Sequence, residues 1–223
     1  MKIDHYRSKD PLTPYAPTWD FKIGYSSVPL RIDRLVTTCL EKEKEILKLP
    51  PALNFNNKPT DGGTGLGFNS TTSRYSRYNV FNWDTIETNL LKKYVRENIE
   101  QYNKDNGKET PQYLWVRCWV NIMRFGQKIK QHTHNNNSDC YLSSHFTVQC
   151  NNTSTCYIIP MEGSGQLINE ENRAGQISIF PSYIPHYTTR HLSIKPRITI
   201  AMDIFIDNRN LLVTKPFQNF VRI

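Results

Sequence analysis

The sequence predicts a mainly β protein with flanking helices, in which the helices pack against the outside of one β-sandwich or barrel. Helical periodicity of apolar residues is confined to the first half of the chain, whereas two-residue alternation dominates after residue 110. The 223 residues contain neither an internal repeat nor a stretch of linker composition. We therefore expect a single domain over 1–223, with a helix- and loop-rich part over 1–110 packed on a β core over 111–223.

The composition is that of a folded protein with reduced cysteines. Aromatic residues make up 12% of the chain, which excludes disorder as its main state. The five cysteines are odd in number and have no CxxC spacing, which argues against a zinc ribbon or a disulfide scaffold. The net charge of +8 permits a nucleic-acid partner but supports it only weakly, because no basic run exceeds two residues.

No stretch of eighteen apolar residues is present, so we expect no membrane span. The first residues have neither an apolar nor an Arg-rich amphipathic character typical of targeting segments. We therefore expect a cytoplasmic protein, or one acting in the host cytoplasm if the chain is viral.

Two helices and a long loop are predicted in the first half. Apolar residues at helical spacing predict a helix over 31–48, which ends before Pro50. A second helix follows Asp84 and runs to about Tyr102, with Asp84 expected to accept bonds from the first amides and Glu87 to reach back. The prolines of residues 8–30 indicate extended or looped backbone lying on the surface, and the Gly/Asn/Ser-rich stretch from 54 to 78 indicates a loop that could cover a site.

The second half reads as strands separated by turn residues. Alternation and β-branched or aromatic residues predict five strands, at Trp115 to Met123, Asp139 to Val148, Thr155 to Ile159, Gly175 to Phe180 and Arg197 to Ile206.

Three features of this half carry chemistry. His132 and His134 are two residues apart, so on a strand they project from one face, as two ligands of one metal must. His186 follows a strand and a turn and supplies a third imidazole. Arg197 and Thr199 share a strand face, and a guanidinium beside a hydroxyl suits bidentate binding of a carboxylate.

The order of these motifs resembles the iron(II)/2-oxoglutarate-dependent oxygenases, and most closely a group found in bacteria and tailed phages. The similarity covers roughly residues 60–206. It is carried by Asn79 to Asp84, Trp119-Val120-Asn121, Gly126, His132-Thr133-His134, Leu142-Ser143-Ser144, Gly175 to Ser182, His186 and Arg197-Ile198-Thr199.

The resemblance implies a double-stranded β-helix, which is a jelly-roll or cupin-like barrel, and an enzyme that uses Fe(II), 2-oxoglutarate and O2. Such an enzyme hydroxylates a substrate C–H bond and releases succinate and CO2, and ascorbate supports it in vitro. By resemblance, His132 and His186 hold iron together with a third ligand, and Arg197 with Thr199 pairs with the distal carboxylate of 2-oxoglutarate. The inward face of the barrel would add Asn121, Ser143 and Thr147 to the cosubstrate site and His145 to the substrate pocket.

One departure from the family leaves the third ligand open. The family usually has a carboxylate two residues after the first histidine, and this chain has His134 there. Imidazole also suits iron, so His134 is one candidate. Asp139 or solvent is the other, in which case His134 would contact substrate.

A cupin-type protein is the main alternative. The spacing of Gly126, His132, His134 and Asp139, and that of Gly175 and His186, also resembles the two cupin motifs. Such a protein would bind metal, or act as a dioxygenase, without 2-oxoglutarate and would have no need of Arg197. An inactive barrel used in assembly is a third reading, and the substrate stays open among a protein side chain, a nucleobase and a small metabolite.

Overall fold

The computed structural model describes residues 1–134, 141–159, 166–206 and 219–223. Asp139, proposed from the sequence as an alternative ligand, lies outside the described residues, as does the start of the strand predicted from Asp139. The chain forms two α-helices and twelve strands in the described part. They are β1 Lys2–Arg7, β2 Asp20–Ser27, α1 Ile32–Ile46, β3 Ala52–Leu53, β4 Pro59–Thr60, α2 Ile86–Asp105, β5 Leu114–Met123, β6 Leu142–Gln149, β7 Ser154–Ile159, β8 Gln166–Glu171, β9 Gln176–Pro181, β10 His186–Thr188, β11 Arg197–Ile206 and β12 Val221–Arg222.

Two antiparallel sheets form the barrel. The larger has seven strands in the order β1-β2-β9-β6-β11-β5-β12, and the smaller has the order β10-β7-β8. A buried cluster of Phe21, Ile23, Tyr157, Ile159 and Phe180 joins side chains of both sheets. The mainly β fold predicted from alternation is confirmed.

Helices α1 and α2 pack on the outer face of the large sheet. Leu35 of α1 and Val95 of α2 share one buried cluster with Ile198, Ile200 and Met202 of β11. The alternate residues of β11 therefore point inward, as strand alternation predicts. Within the described residues, neither helix is long and apolar enough to cross a membrane.

The N-terminal segment differs from the prediction of surface loop over residues 8–30. β2 lies beside β9 in the large sheet, and Phe21, Ile23 and Tyr25 are buried. These three residues alternate with polar or small ones, which is a strand pattern, and the nearby prolines obscured it. The sheet thus takes two strands from the part of the chain before residue 111.

The start of α2 also differs in detail. The capping box consists of Thr85 and Thr88, each side chain bonding to the other residue's backbone N–H. Asp84 precedes the cap with a φ of 54° and accepts a bond from Asn89 at 3.0 Å. The predicted roles of Asp84 and Glu87 are therefore wrong, because the helix begins one residue later than the pattern suggested.

Candidate metal centre

Three histidines meet between the two sheets. The ligand atoms of His132, His134 and His186 all lie within 4.8 Å of one another. The segment that carries the first two is irregular rather than a strand, and backbone bonds hold it. His132 exchanges two N–H···O=C bonds of 3.0 Å with His186, and the N–H of His134 donates to Ser182 at 3.1 Å.

Each of these rings has its Nδ1 atom bonded to an oxygen. The Nδ1 of His132 lies 2.8 Å from the carbonyl of Lys130, and that of His186 lies 3.0 Å from the carbonyl of Ile184. The Nδ1 of His134 contacts the carboxylate of Asp203. Because a donating Nδ1–H leaves Nε2 with its lone pair, these contacts fix the tautomer in which Nε2 can bind metal. The Nε2 atoms of His134 and His186 lie 3.2 Å apart.

The environment keeps two of the rings neutral. Burial, with a contribution from neighbouring His134, lowers the pKa of His132 to about 4. Burial and the neighbouring imidazoles hold the pKa of His186 well below its ordinary value. Both are unprotonated at neutral pH, which is the form that coordinates a metal.

Asp203 is a site residue that the sequence reading missed. Its buried carboxylate also pairs with the guanidinium of Arg117, whose Nε donates at 3.1 Å. Burial by itself would raise the pKa of Asp203, but Arg117 and His134 outweigh burial and hold the pKa well below its ordinary value. The sequence could have indicated this residue, because strand alternation counted from Arg197 places residue 203 on the inward face.

Arg197 is a buried cation with weak contacts. It is 2% exposed, and its Nη1 lies 3.5 Å from both the sulfur of Met123 and the hydroxyl of Thr199. Its Nε has no hydrogen-bond partner, and within the described part of the chain it forms no salt bridge. Burial lowers the pKa of Arg197 from 12.5 to about 10, so the side chain is still charged at neutral pH.

The neighbours of β11 place two more predicted residues near Arg197. Thr199 lies between Asn121 of β5 and Thr147 of β6 in the register of the sheet. The hydroxyl of Thr147 is buried without a partner. The carboxamide oxygen of Asn121 accepts bonds from Thr72 at 2.6 Å and from Trp119 at 3.1 Å. The register thus places Asn121 and Thr147 on either side of Thr199, and their role in holding the cosubstrate stays a prediction.

Ser143 and His145 lie farther along β6, toward the histidines. Ser143 pairs with Asp203 in the register and donates its hydroxyl to Ser182 at 2.9 Å. This hydroxyl is therefore already bonded, and the role of Ser143 in holding the cosubstrate stays a prediction. His145 pairs with Ala201 and lines the cavity beside the metal ligands. Burial, followed by the charge of Arg197, lowers the pKa of His145 to about 3.

Part of the predicted loop over 54–78 borders a cleft above the histidines. The backbone N–H of Lys130 donates to Thr64 at 2.7 Å, which ties the loop to the segment before His132. The cleft is formed by Asp61, Gly62, Thr64, Thr72, Tyr75, Arg117, Trp119, His132, Thr133, His134 and Asp203. The cleft and the interior cavity share His132 and His134, so both reach the histidine cluster.

Residues 117–203 match a family described as "Putative 2OG-Fe(II) oxygenase". The match covers 87 of the 223 residues, and over them the chain is similar to the 2OG-Fe(II) oxygenases. The matched segment contains the three histidines, Arg197 and Asp203. No curated protein sequence matches the chain.

Solved structures show the same fold at low sequence identity. A prolyl hydroxylase from Trichoplax adhaerens, in complex with a peptide fragment of the hypoxia inducible factor oxygen degradation domain, is 14% identical. It has a TM-score of 0.57, with 86% of the present chain and 87% of that chain covered. The non-heme alpha ketoglutarate dependent carbocyclase SnoK from nogalamycin biosynthesis is 10% identical, with a TM-score of 0.51 and coverage of 90% and 92%. AviO1 from Streptomyces viridochromogenes is 10% identical, with a TM-score of 0.52 and coverage of 84% and 90%. These likenesses support a double-stranded β-helix fold for the present chain.

Proposed function

We propose that this protein is an oxygenase that binds Fe(II) through His132, His134 and His186, binds 2-oxoglutarate through Arg197, and hydroxylates a substrate C–H bond with release of succinate and CO2. The substrate stays open among a protein side chain, a nucleobase and a small metabolite, and we propose that the reaction takes place in the cytoplasm.

The donor set fits iron. Three converging imidazole nitrogens suit iron among the transition metals, and three protein ligands leave coordination positions for small molecules. When bound, Fe(II) with 2-oxoglutarate supplies the activation of O2 that C–H hydroxylation needs.

The observation that carries the proposal is the buried charge of Arg197, which has no carboxylate partner among the described residues. A buried guanidinium without a carboxylate is costly, so such groups are found where a ligand provides the counter-charge. The distal carboxylate of 2-oxoglutarate would accept bonds from Arg197 and Thr199. The free hydroxyl of Thr147, across the sheet from Thr199, is a further donor.

The remaining residues orient the reactants and exclude water. Arg197 fixes one end of the cosubstrate, so its 2-oxo acid end is directed along the inward face of β11 toward the histidines. Trp119 and Phe180 line the same cavity with apolar surface, which limits the access of water. Asn121 is held by Thr72 and Trp119 and cannot rotate freely.

A cupin-type metal site is the second candidate, and the all-imidazole ligand set favours it. Such a protein would bind the metal equally well but would leave Arg197 without a function. The buried charge of Arg197 therefore favours the 2-oxoglutarate-dependent reaction.

The experiment is an anaerobic titration of the Fe(II)-loaded protein with 2-oxoglutarate, followed by visible absorption. Chelation through the 2-oxo and C1 carboxylate groups gives a weak charge-transfer band, which we expect to saturate. Succinate, which lacks the 2-oxo group, is the control and should give no band. Bound iron without a band on adding 2-oxoglutarate would favour the cupin-type site.

A further inference from the structure

The three histidines are not held alike. His132 and His186 direct Nδ1 to backbone carbonyls, whereas His134 directs it to the carboxylate of Asp203. Among the described residues His134 is the one ligand candidate held by an ionised side chain. Both partners are buried, with side-chain exposures of 6% for His134 and 5% for Asp203.

A second contact fixes the orientation of Asp203. One carboxylate oxygen faces His134, and the other accepts bonds from Nε and Nη2 of Arg117. The guanidinium of Arg117 lies 5.0 Å from the ring centroid of Tyr75, which limits its movement. The carboxylate therefore cannot turn away from His134 without breaking both contacts.

The contact between Asp203 and His134 provides a carboxylate near the metal site, where the sequence lacks the usual carboxylate ligand. His134 stands where the family usually has a carboxylate ligand, so the three imidazoles would present no negative charge to the metal directly. Asp203 supplies one negative charge at the Nδ1 side of the His134 ring. A carboxylate bonded to a ligating imidazole fixes its tautomer and raises its basicity.

We propose that Asp203 is the positioning residue of the metal centre, which holds the Nε2 lone pair of His134 toward the metal and strengthens that bond through its charge. The inference rests on the proposed function, since it takes His134 as a ligand. It assigns a role to a residue outside the ligand set and the cosubstrate pocket.

The test is metal affinity, measured by titrating the metal-free protein with Co(II) in the absence of 2-oxoglutarate. Asp203→Asn keeps the shape of the side chain and removes its charge. Loss of such a partner typically weakens metal binding by about 10- to 100-fold, and we expect a weakening in this range. Met202→Leu, a buried change on the opposite face of β11, is the matched control and should bind as the unchanged protein does. Co(II) affinity of Asp203→Asn within about twofold of the control would overturn the proposal.

Arg117→Met separates the two contacts of Asp203. This change removes the salt bridge but leaves the carboxylate against His134, so we expect a smaller loss of Co(II) affinity than for Asp203→Asn. A larger loss for Arg117→Met than for Asp203→Asn would mean that Arg117 acts independently of the contact between Asp203 and His134, and would overturn the proposal.

Nitrogen NMR on the unchanged protein with labelled histidine provides a reading that does not depend on the folding of a variant. With Zn(II) bound, His134 should carry its proton on Nδ1 and the metal on Nε2, and metal on Nδ1 would overturn the proposal. His186→Ala distinguishes failure of the metal site from failure of the role of Asp203. If His186→Ala binds Co(II) as tightly as the unchanged protein, the proposed metal site itself fails.

Discussion

At the scale of residues, the barrel interior contains polar atoms that the described protein leaves unbonded. The Nε of Arg197 and the hydroxyl of Thr147 are buried without partners. Each such group costs free energy in the ligand-free protein. Both groups lie beside Thr199 on the inward face of the sheet, which indicates that binding, rather than stability, accounts for them.

Thr147→Val should separate stability from binding. We expect the free energy of unfolding of the ligand-free protein to stay the same or rise by about 1 kcal/mol, because an unbonded hydroxyl is removed. If the hydroxyl donates to the carboxylate of 2-oxoglutarate, the affinity for 2-oxoglutarate should fall about 10-fold or more. Calorimetry and urea unfolding provide the two measurements.

Thr155→Val is the control for this change. The hydroxyl of Thr155 already donates to Asn172 at 2.9 Å, so its loss should lower stability and spare cosubstrate binding. Destabilisation by Thr147→Val with unchanged affinity for 2-oxoglutarate would contradict the assignment.

His186→Ala should abolish stoichiometric iron binding, because only two imidazoles would remain in the cluster. The matched control is His191→Gln, which changes a buried histidine whose Nε2 bonds to the carbonyl of Lys195 at 2.7 Å. Metal analysis after desalting should find iron in the control and none in His186→Ala. Iron retained in both variants would rule out the three-histidine site.

At the scale of elements, strand alternation made most of the site predictable. Once β11 is recognised, Arg197 and Thr199 must share the inward face, and the structure shows that they do. Strand alternation also places Asp203 on the inward face. The sequence around a single acidic residue in an apolar strand does not indicate which residues it contacts. Arg117 and His134 are 86 and 69 residues away, so their contact depends on sheet register and could not be read from spacing.

The sequence analysis did not predict the N-terminal strands or the residue that caps α2, and the reasons differ. β2 joins the sheet through β9, a pairing across about 150 residues that no pattern in residues 20–27 reveals. At the helix start, two neighbouring residues both favour the N-cap position. The choice of Thr85 over Asp84 is made by the turn that precedes the helix, where Asp84 adopts a positive φ.

Thr85→Ala tests this corrected helix start. Loss of the capping hydroxyl should lower the free energy of unfolding by about 1 kcal/mol. Asp84→Gly is the comparison, since glycine tolerates the φ of 54° and only one exposed contact is lost, so we expect a change within about 0.5 kcal/mol. Chemical denaturation of both variants measures the difference, and a larger cost at Asp84 would restore it as the cap.

At the scale of the whole molecule, buried neutral histidines couple folding to pH. The pKa of His132 is about 4 and that of His145 about 3, both below the value of 6.5 of an unperturbed histidine. Below pH 6.5 these histidines become protonated in the unfolded chain. In the folded metal-free protein they stay neutral until the pH reaches the lower values. The unfolded state is therefore favoured increasingly as the pH falls.

We expect the urea midpoint of the metal-free protein to fall steadily from pH 6.5 toward pH 4. His145→Asn removes one of the titrating groups without touching a metal ligand candidate, so its midpoint should depend less on pH over this interval. Midpoints that are independent of pH, or equal slopes for the two proteins, would show that these histidines are not buried in the neutral form.

The central claim is that Arg197 binds the distal carboxylate of 2-oxoglutarate beside an iron held by three histidines. Its most direct test is a paired measurement on Arg197→Ala, in which metal analysis gives iron content and calorimetry gives the affinity for 2-oxoglutarate. Removing one member of a buried charge pair typically costs about 2 to 5 kcal/mol, or roughly 30- to several-thousand-fold in affinity. We expect iron to be retained and 2-oxoglutarate binding to fall by this factor. Arg197→Lys should restore little, because an ammonium lacks the planar fork. Undiminished 2-oxoglutarate binding by iron-loaded Arg197→Ala would contradict the central claim.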